Sequence, residues 1–251
     1  MITKKINGIK YEIKNKNDAI ERCLLQQRQW NDGIFKCIID VIEQKGLQHF
    51  LNVGCHIGTI SLPVSKEIKQ VSCVEAYPKT FSHLQDNIKL NNIQNIKCYN
   101  FALGNREEEI YFMGEDEICP IENKNRLKNN SGGNHVFTQK DIDDNIRSSA
   151  LTDKKVKNKM YRLDDTEIDN FDIMLVDIEG SEYDFLLGAK QKILKNNPII
   201  IIEIWDDNKR KRENMKETKQ DVIDLILSMD YQLVGCNGED FLFHHSKHVS
   251  S

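Results

Sequence analysis

The chain has 251 residues, of which 39% are hydrophobic and 29% charged, and its formal net charge is −4. That content supports a sizeable core in one large α/β domain or two small ones, while the mild negative charge argues against a surface built to grip nucleic-acid phosphates. Apolar runs fall short of the ~18–20 residues of a membrane span and the N-terminus lacks a signal-peptide core, so no membrane partner and a cytoplasmic location are expected.

The first 14 residues alternate weakly (Ile9, Tyr11, Ile13), which suits a short hairpin or an edge strand. From Asp18 to about Gly46 the apolar spacing is helical, and a break near Asn31-Asp32-Gly33 predicts two helices. Residues 1–47 are therefore expected to be an extension packed on a core domain that fills 48–251. Strands and helices then alternate: strand 50–54, helix 58–68, strand 71–75, helix 79–91 with Pro78 in its first turn, and strand 96–102.

After Gly104 the rhythm changes. A short strand at 109–113 precedes a polar stretch to about Lys155, so 105–160 reads as an inserted loop, a functional lid or disorder. A strand near 156–163 leads back to the core, followed by strand 171–176, helix 182–195, strand 198–204, helix 219–229 and strands 231–235 and 240–244 around an Asn237-Gly238 turn. Continuous Val, Ile and Leu runs mark strands buried on both faces. The expected fold class is α/β: a Rossmann-like, mostly parallel sheet with helices on both faces and a C-terminal antiparallel hairpin. The seven cysteines are odd in number with no Cys-x-x-Cys pair, and read as reduced thiols rather than a disulfide frame or zinc site.

The most telling stretch is Phe50-Leu-Asn-Val-Gly-Cys-His-Ile-Gly58, a buried strand that turns into a helix through two glycines. About twenty residues on, a second apolar run ends in Glu75, placed to accept hydrogen bonds from two ribose hydroxyls. A dinucleotide fingerprint would need glycine where His56 stands, and a side chain there crowds a pyrophosphate. S-adenosylmethionine (SAM), which has no phosphates, suits the loop better.

Asn52-Val-Gly-Cys-His-Ile-Gly58 and Val176-Asp-Ile-Glu-Gly-Ser-Glu182, followed by Leu187-Gly-Ala189, resemble two motifs of the FkbM-type methyltransferases. Val74-Glu75-Ala-Tyr-Pro78, Asn87 with Asn91, Ala102-Leu-Gly104 and the run from Pro198 to Glu203 follow in that family's order, over about residues 48–204. The resemblance implies SAM-dependent methyl transfer, usually to oxygen. Carried over by position, Asn52, Gly54, Cys55 and Gly58 would wrap the methionine part of SAM, while His56 inside the same loop reads equally as a cofactor contact or a packing residue. Glu75 and Ala76 would border the ribose, Asn100, Phe101 and Ala102 the adenine, and Asp177 the sulfonium and amino group. Two positions depart from the pattern: Asn52 replaces the usual Asp, and Leu175 stands where many members carry Lys.

Methyl transfer needs the acceptor brought into line, its proton removed and water excluded. Asp177 and Glu179 at the end of the fourth core strand are the leading carboxylates, with a cofactor or loop contact as the other reading of each. His135 in the insertion is a third candidate. Glu203, Asp206 and Asp207 could join Asp177 around Mg²⁺, although no spacing demands it, and no metal is expected. His244, His245 and His248 read as a solvated tail. The run Asn208-Lys-Arg-Lys-Arg212 is either solvated surface or an attractor of an anionic acceptor.

The expected protein is a SAM-dependent O-methyltransferase. Its expected partner is a small-molecule acceptor, a sugar or nucleotide sugar, with nucleic acid disfavoured and a homodimer left open. An RNA or protein methyltransferase, a non-catalytic SAM-binding module and a nicotinamide-dependent oxidoreductase remain as rivals.

Overall fold

The computed structural model describes residues 2–112, 136–138 and 156–248, and the elements below lie within them. A hairpin of β1 (Ile2–Ile6) and β2 (Ile9–Ile13) leads to α1 (Ala19–Leu25) and α2 (Asp32–Lys45). The core then alternates: β3 (His49–Val53), α3 (Ser61–Val64), β4 (Gln70–Val74), α4 (Pro78–Leu90) and β5 (Ile96–Tyr99). Next come the short β6 (Ala102–Leu103), β7 (Glu108–Phe112), β8 (Phe137–Thr138) and β9 (Val156–Tyr161). The chain finishes with β10 (Ile173–Val176), α5 (Glu182–Asn196), β11 (Ile199–Glu203), α6 (Asp207–Arg212), α7 (Lys219–Leu227), β12 (Tyr231–Asn237) and β13 (Asp240–His245).

Seven strands form the central sheet in the order β12-β13-β11-β10-β3-β4-β5. The five from β11 to β5 are parallel, and β13 and β12 close the sheet antiparallel. Side chains alternate between two cores. Ile173, Leu175, Ile199 and Ile201 join the α1–α4 face, while Met174, Val176, Ile200 and Ile202 join the face of α5 and α7. Four consecutive buried isoleucines in β11 thus serve both layers, each worth ~1.5–3 kcal/mol of apolar burial. This arrangement is why the run has no amphipathic alternation.

Three expectations are corrected. Helix 58–68 shrinks to the four residues of α3, because Gly58 is left-handed and the Ser65 hydroxyl donates to the Leu62 carbonyl, taking over a helical acceptor. Strand 96–102 splits: Asn100 leaves the central sheet and donates through Nδ2 to the Glu75 and Ala76 carbonyls (2.8 and 3.3 Å). The residues beyond it start a separate sheet of order β6-β9-β7-β8, built from both ends of the segment read as an inserted loop. The closing hairpin turns at Gly238-Glu239, one residue later than expected, since Asn237 pairs with Asp240.

The N-terminal hairpin is held by side-chain amides. Asn91 accepts from the Lys10 N–H at 2.8 Å and donates to its carbonyl at 2.7 Å. The buried Asn87 accepts from the Glu12 N–H at 2.9 Å and donates to the Ile57 carbonyl at 3.1 Å. Two asparagines of α4 thus stand in for a neighbouring strand. Replacing Asn87 by Ala leaves two backbone groups without partners and is expected to cost roughly 2–4 kcal/mol in urea unfolding. A loss under about 0.5 kcal/mol would remove this anchor from the account.

Candidate functional site

At the carboxyl ends of β3, β4, β10 and β11 the sheet opens into a cavity of about 350 Å³. The loop after β3 is drawn tightly across this edge. The Gly54 and Cys55 N–H groups both donate to the Val74 carbonyl, and Asp177 N–H donates to the Val53 carbonyl at 3.0 Å. Gly54 has φ +82°, and a Cβ there would lie 1.8 Å from the Asp177 carbonyl oxygen. At Gly58, φ +89°, a Cβ would meet Leu62 at 2.0 Å. Backbone conformation favours glycine at both positions, and at Gly54 the close Asp177 carbonyl leaves no room for a Cβ.

Of the residues singled out from the sequence, Asn52, Gly54, Cys55, His56, Glu75, Ala76, Phe101, Ala102, Asp177 and Glu179 line the cavity. Gly58 and Asn100 do not, and their contacts are the packing and carbonyl bonds given above. His135 lies outside the described residues.

The carboxylate of Glu75 accepts from the His56 N–H at 3.0 Å and the Tyr77 N–H at 2.8 Å, one bond to each oxygen. Burial nevertheless pushes its pKa up to about 7, against the lowering effect of those bonds. Asn52 is buried; its Nδ2 donates to the Ser61 hydroxyl at 2.8 Å, while its Oδ1 has no hydrogen-bond partner among the described residues. His56 has a left-handed backbone, and burial lowers its pKa to about 4, which keeps the ring neutral.

The opposite wall is acidic. Asp177, next after β10, lies beside Glu203, the last residue of β11, because Val176 and Ile202 are register partners. The charge of Glu203 acts on Asp177, and the Trp205 indole N–H donates to Glu203 Oε2 at 2.8 Å. Burial, then Glu203, Glu179, Glu182 and Asp240, push the Asp177 carboxyl well above the usual range. Like charges on two carboxyls at one site disfavour ionisation of both. Glu179 is left-handed at φ 54°, a strained position for a residue with a side chain, and Gly180 follows at φ +100°.

Glu182 anchors that turn. It is fully buried, accepts from the Gly180 N–H at 2.8 Å, and pairs at 3.9 Å with Arg210, itself 2% exposed. The basic run is thereby partly consumed: Arg210 is core, and Lys209 covers the Trp205 ring at 3.8 Å and meets Glu239 at 3.3 Å. Asp206 caps α6, and Asp207 accepts from the Lys219 N–H at the start of α7, so neither joins Asp177. Among the described residues no group of three or more His, Cys, Asp or Glu is arranged to hold a metal ion. His245 is 4% exposed against the Tyr231 ring, which corrects the reading of a solvated tail.

Trp30, Asn31, Arg106, Phe112 and Met160 also line the cavity and were missed from the sequence. Trp30 was the one legible signal, an indole in the otherwise polar break between two helices. Phe112 and Met160 come from the second sheet, whose existence the polar insertion hid.

The sequence profile described as "Methyltransferase FkbM domain" matches residues 52–233, well over half of the chain. The chain belongs to the FkbM methyltransferase family. An uncharacterized RNA methyltransferase of Clostridium acetobutylicum is 30% identical over 151 residues, which are 48% of this chain and 32% of that protein. The chain thus matches about a third of that relative's length. The FkbM methyltransferase of Methylobacillus flagellatus KT shares 17% identity at a TM-score of 0.48, over 79% of this chain and 43% of that one. The magnesium protoporphyrin IX methyltransferase of Synechocystis PCC 6803, solved with bound SAM, shares 7% identity at a TM-score of 0.50, over 93% of this chain and 86% of that one. Likeness at that identity shows the fold.

The matched profile describes a methyltransferase domain, whose expected methyl donor is SAM. The residues present suit that cofactor: a buried carboxylate with acceptor capacity to spare at Glu75, and a buried amide oxygen at Asn52 without a donor. Two buried carboxyls leave the ligand-free protein sensitive to pH. Glu75 and Glu182 have folded pKa values of about 7, above the ordinary 4.5. Their stabilising contribution is therefore complete below about pH 4.5 and lost as the pH rises through about 7. Glu75→Gln is expected to flatten the fall in the urea midpoint between pH 5 and 7.5, measured without ligand. Parallel wild-type and variant curves would refute the shift.

Proposed function

We propose that the protein transfers the methyl group of SAM to a hydroxyl of a small molecule, a sugar by preference, with the Asp177–Glu203 carboxyl pair receiving the hydroxyl proton. The reading is carried by the placement of that pair on the same cavity as Glu75 and Asn52. The preference for oxygen and for a sugar comes from the family resemblance.

Bound in this cavity, SAM would supply a methyl carbon already activated by its sulfonium. Glu75 would hold the ribose hydroxyls on its free lone pairs, and Asn52 Oδ1 would accept from the amino group of the methionine tail. Ala76, Phe101 and Ala102 border the base. Apolar walls from Phe112, Met160 and Leu103 exclude water from the reacting centre. With one member ionised, the carboxyl pair can take up a proton. The acceptor hydroxyl would give up its proton to this pair, and the methyl group is what SAM would supply to the oxygen.

A second reading is methylation of RNA, favoured by the name of the Clostridium acetobutylicum relative. Against it stands the loss of Lys209 and Arg210 to internal contacts. Retention of the protein on an RNA column at moderate salt would favour this reading over a small acceptor.

Glu75→Ala is expected to weaken binding of S-adenosylhomocysteine in calorimetry by about 1.5–3 kcal/mol. Unchanged affinity would end the ribose assignment. Asp177→Asn is expected to lower turnover by about a hundredfold or more without loss of stability. Glu203→Gln removes the like charge that faces Asp177, leaving Glu179, Glu182 and Asp240 on the acidic side and Lys209 on the other. The rising limb of the pH–rate profile should therefore move to lower pH. An unmoved limb would show that the two carboxyls do not titrate as a pair.

A further inference from the structure

Outside the rim of the cavity, α1 and the α1–α2 connection form a second, open depression lined by Arg22, Gln26, Arg28 and Gln29 among others. Trp30 and Asn31 line both hollows, so the two adjoin there, and a path from one to the other would run past these residues. The ledge between them is fixed: Gln29 Nε2 donates to the Trp30 carbonyl at 2.9 Å and to the Thr59 carbonyl at 2.8 Å, tying the connection to the loop after β3. Trp30 is half-buried, with part of its indole packed on the core and part left to the path.

The two ends of this path have opposite charge. The inner wall carries Glu75, Asp177, Glu179, Asp184 and Glu203, and its described cation, Arg106, is held by Glu108 at 2.6 Å. The outer depression carries Arg22 and Arg28, and its carboxylate, Asp32, is tied to Lys36 at 2.6 Å. Arg28 is hydrogen-bonded to the neutral Gln26 side chain, and the guanidinium of Arg22 makes no hydrogen bond or ion pair among the described residues. Both keep their charge for a ligand.

We propose that this depression is an acceptor subsite for a phosphate-bearing small molecule. Its anionic group lies on Arg22 and Arg28, its ring stacks on Trp30, and its reacting hydroxyl reaches past Asn31 toward Asp177. The assignment rests on the reading of the inner cavity as the donor site. Opposite fields at the two ends orient such a molecule, since the reversed pose sets phosphate against carboxylates. Two arginines suit one phosphate or diphosphate group, whereas a polyanion gains affinity from many more contacts.

The probe is uridine diphosphate, added to the protein already saturated with S-adenosylhomocysteine at low salt and read by fluorescence of the indole at Trp30. Uridine diphosphate is expected to quench the wild type, with the quench absent in Trp30→Phe. Affinity should fall by about tenfold or more in Arg22→Ala/Arg28→Ala while S-adenosylhomocysteine affinity is unchanged. Arg28→Glu provides a second variant with the same expected loss if the double variant fails to fold. Equal uridine diphosphate affinity in wild type and variants overturns the subsite, as does no binding to a protein that takes S-adenosylhomocysteine normally. Failure to bind S-adenosylhomocysteine would overturn the donor-site reading instead. An RNA oligonucleotide bound more tightly than uridine diphosphate through the same arginines would overturn the commitment to a small molecule.

Discussion

The site depends on one close approach: the Gly54 position and the Asp177 carbonyl are so near that even a methyl group at Gly54 would sit 1.8 Å from the oxygen. The loop after β3 and the turn after β10 are thereby held together at the sheet edge, and the Asp177 N–H bond to the Val53 carbonyl sets their register. Whatever binds against one meets the other. The same device recurs behind the site, where a Cβ at Gly188 in α5 would lie 1.8 Å from the Gly104 carbonyl. Glycine at that point lets α5 lie directly on the turn that follows β6, so the second sheet is seated on the same helix that begins with Glu182.

Behind that edge the structure concentrates buried carboxyls that water would otherwise solvate. Asp177, Glu182, Glu203 and Asp240 all have raised pKa values, with burial the largest cause in each. The turn they surround is also strained at Glu179. Such a constellation is tolerated only where surrounding structure holds it, and here the Glu182–Arg210 pair and the Trp205 bond to Glu203 do so. A cationic ligand relieves the repulsion among the remaining charges. Ligand binding and folding stability are thus coupled through the same acidic wall.

The alternating core was legible because parallel strands buried on both faces are written as unbroken Ile, Leu and Val runs, as in Ile199 to Ile202. The cavity residues contributed by those strands and their loops were legible for the same reason, since a strand's last residue and the turn after it must lie at one edge. The second sheet was not. β6 is two residues long, and Asn100 leaves the strand pattern for carbonyl bonds that no periodicity announces. The basic run was visible as charge, but the burial of Arg210 depends on Glu182, 28 positions away in the chain but across α6 in space. Trp30 was visible as a residue, yet its position at the cavity depends on Gln29 reaching the Thr59 carbonyl.

The two departures from the family pattern make sense together. Asn52 and Leu175 are register partners on adjacent parallel strands, and both side chains lie on the same face of the sheet, at the cavity wall. A Lys at position 175 would put an ammonium beside the residue at 52, where the family's usual Asp would balance it. With Asn at 52 that amine would be buried against a neutral amide, and a lone Asp at 52 beside Leu175 would be equally unbalanced. The chain has neutralised both members of one cross-strand pair. The pair's net charge is therefore unchanged, and the carboxyls at this edge of the cavity come from Asp177, after the adjacent strand β10, and Glu203, at the end of β11 one strand further on.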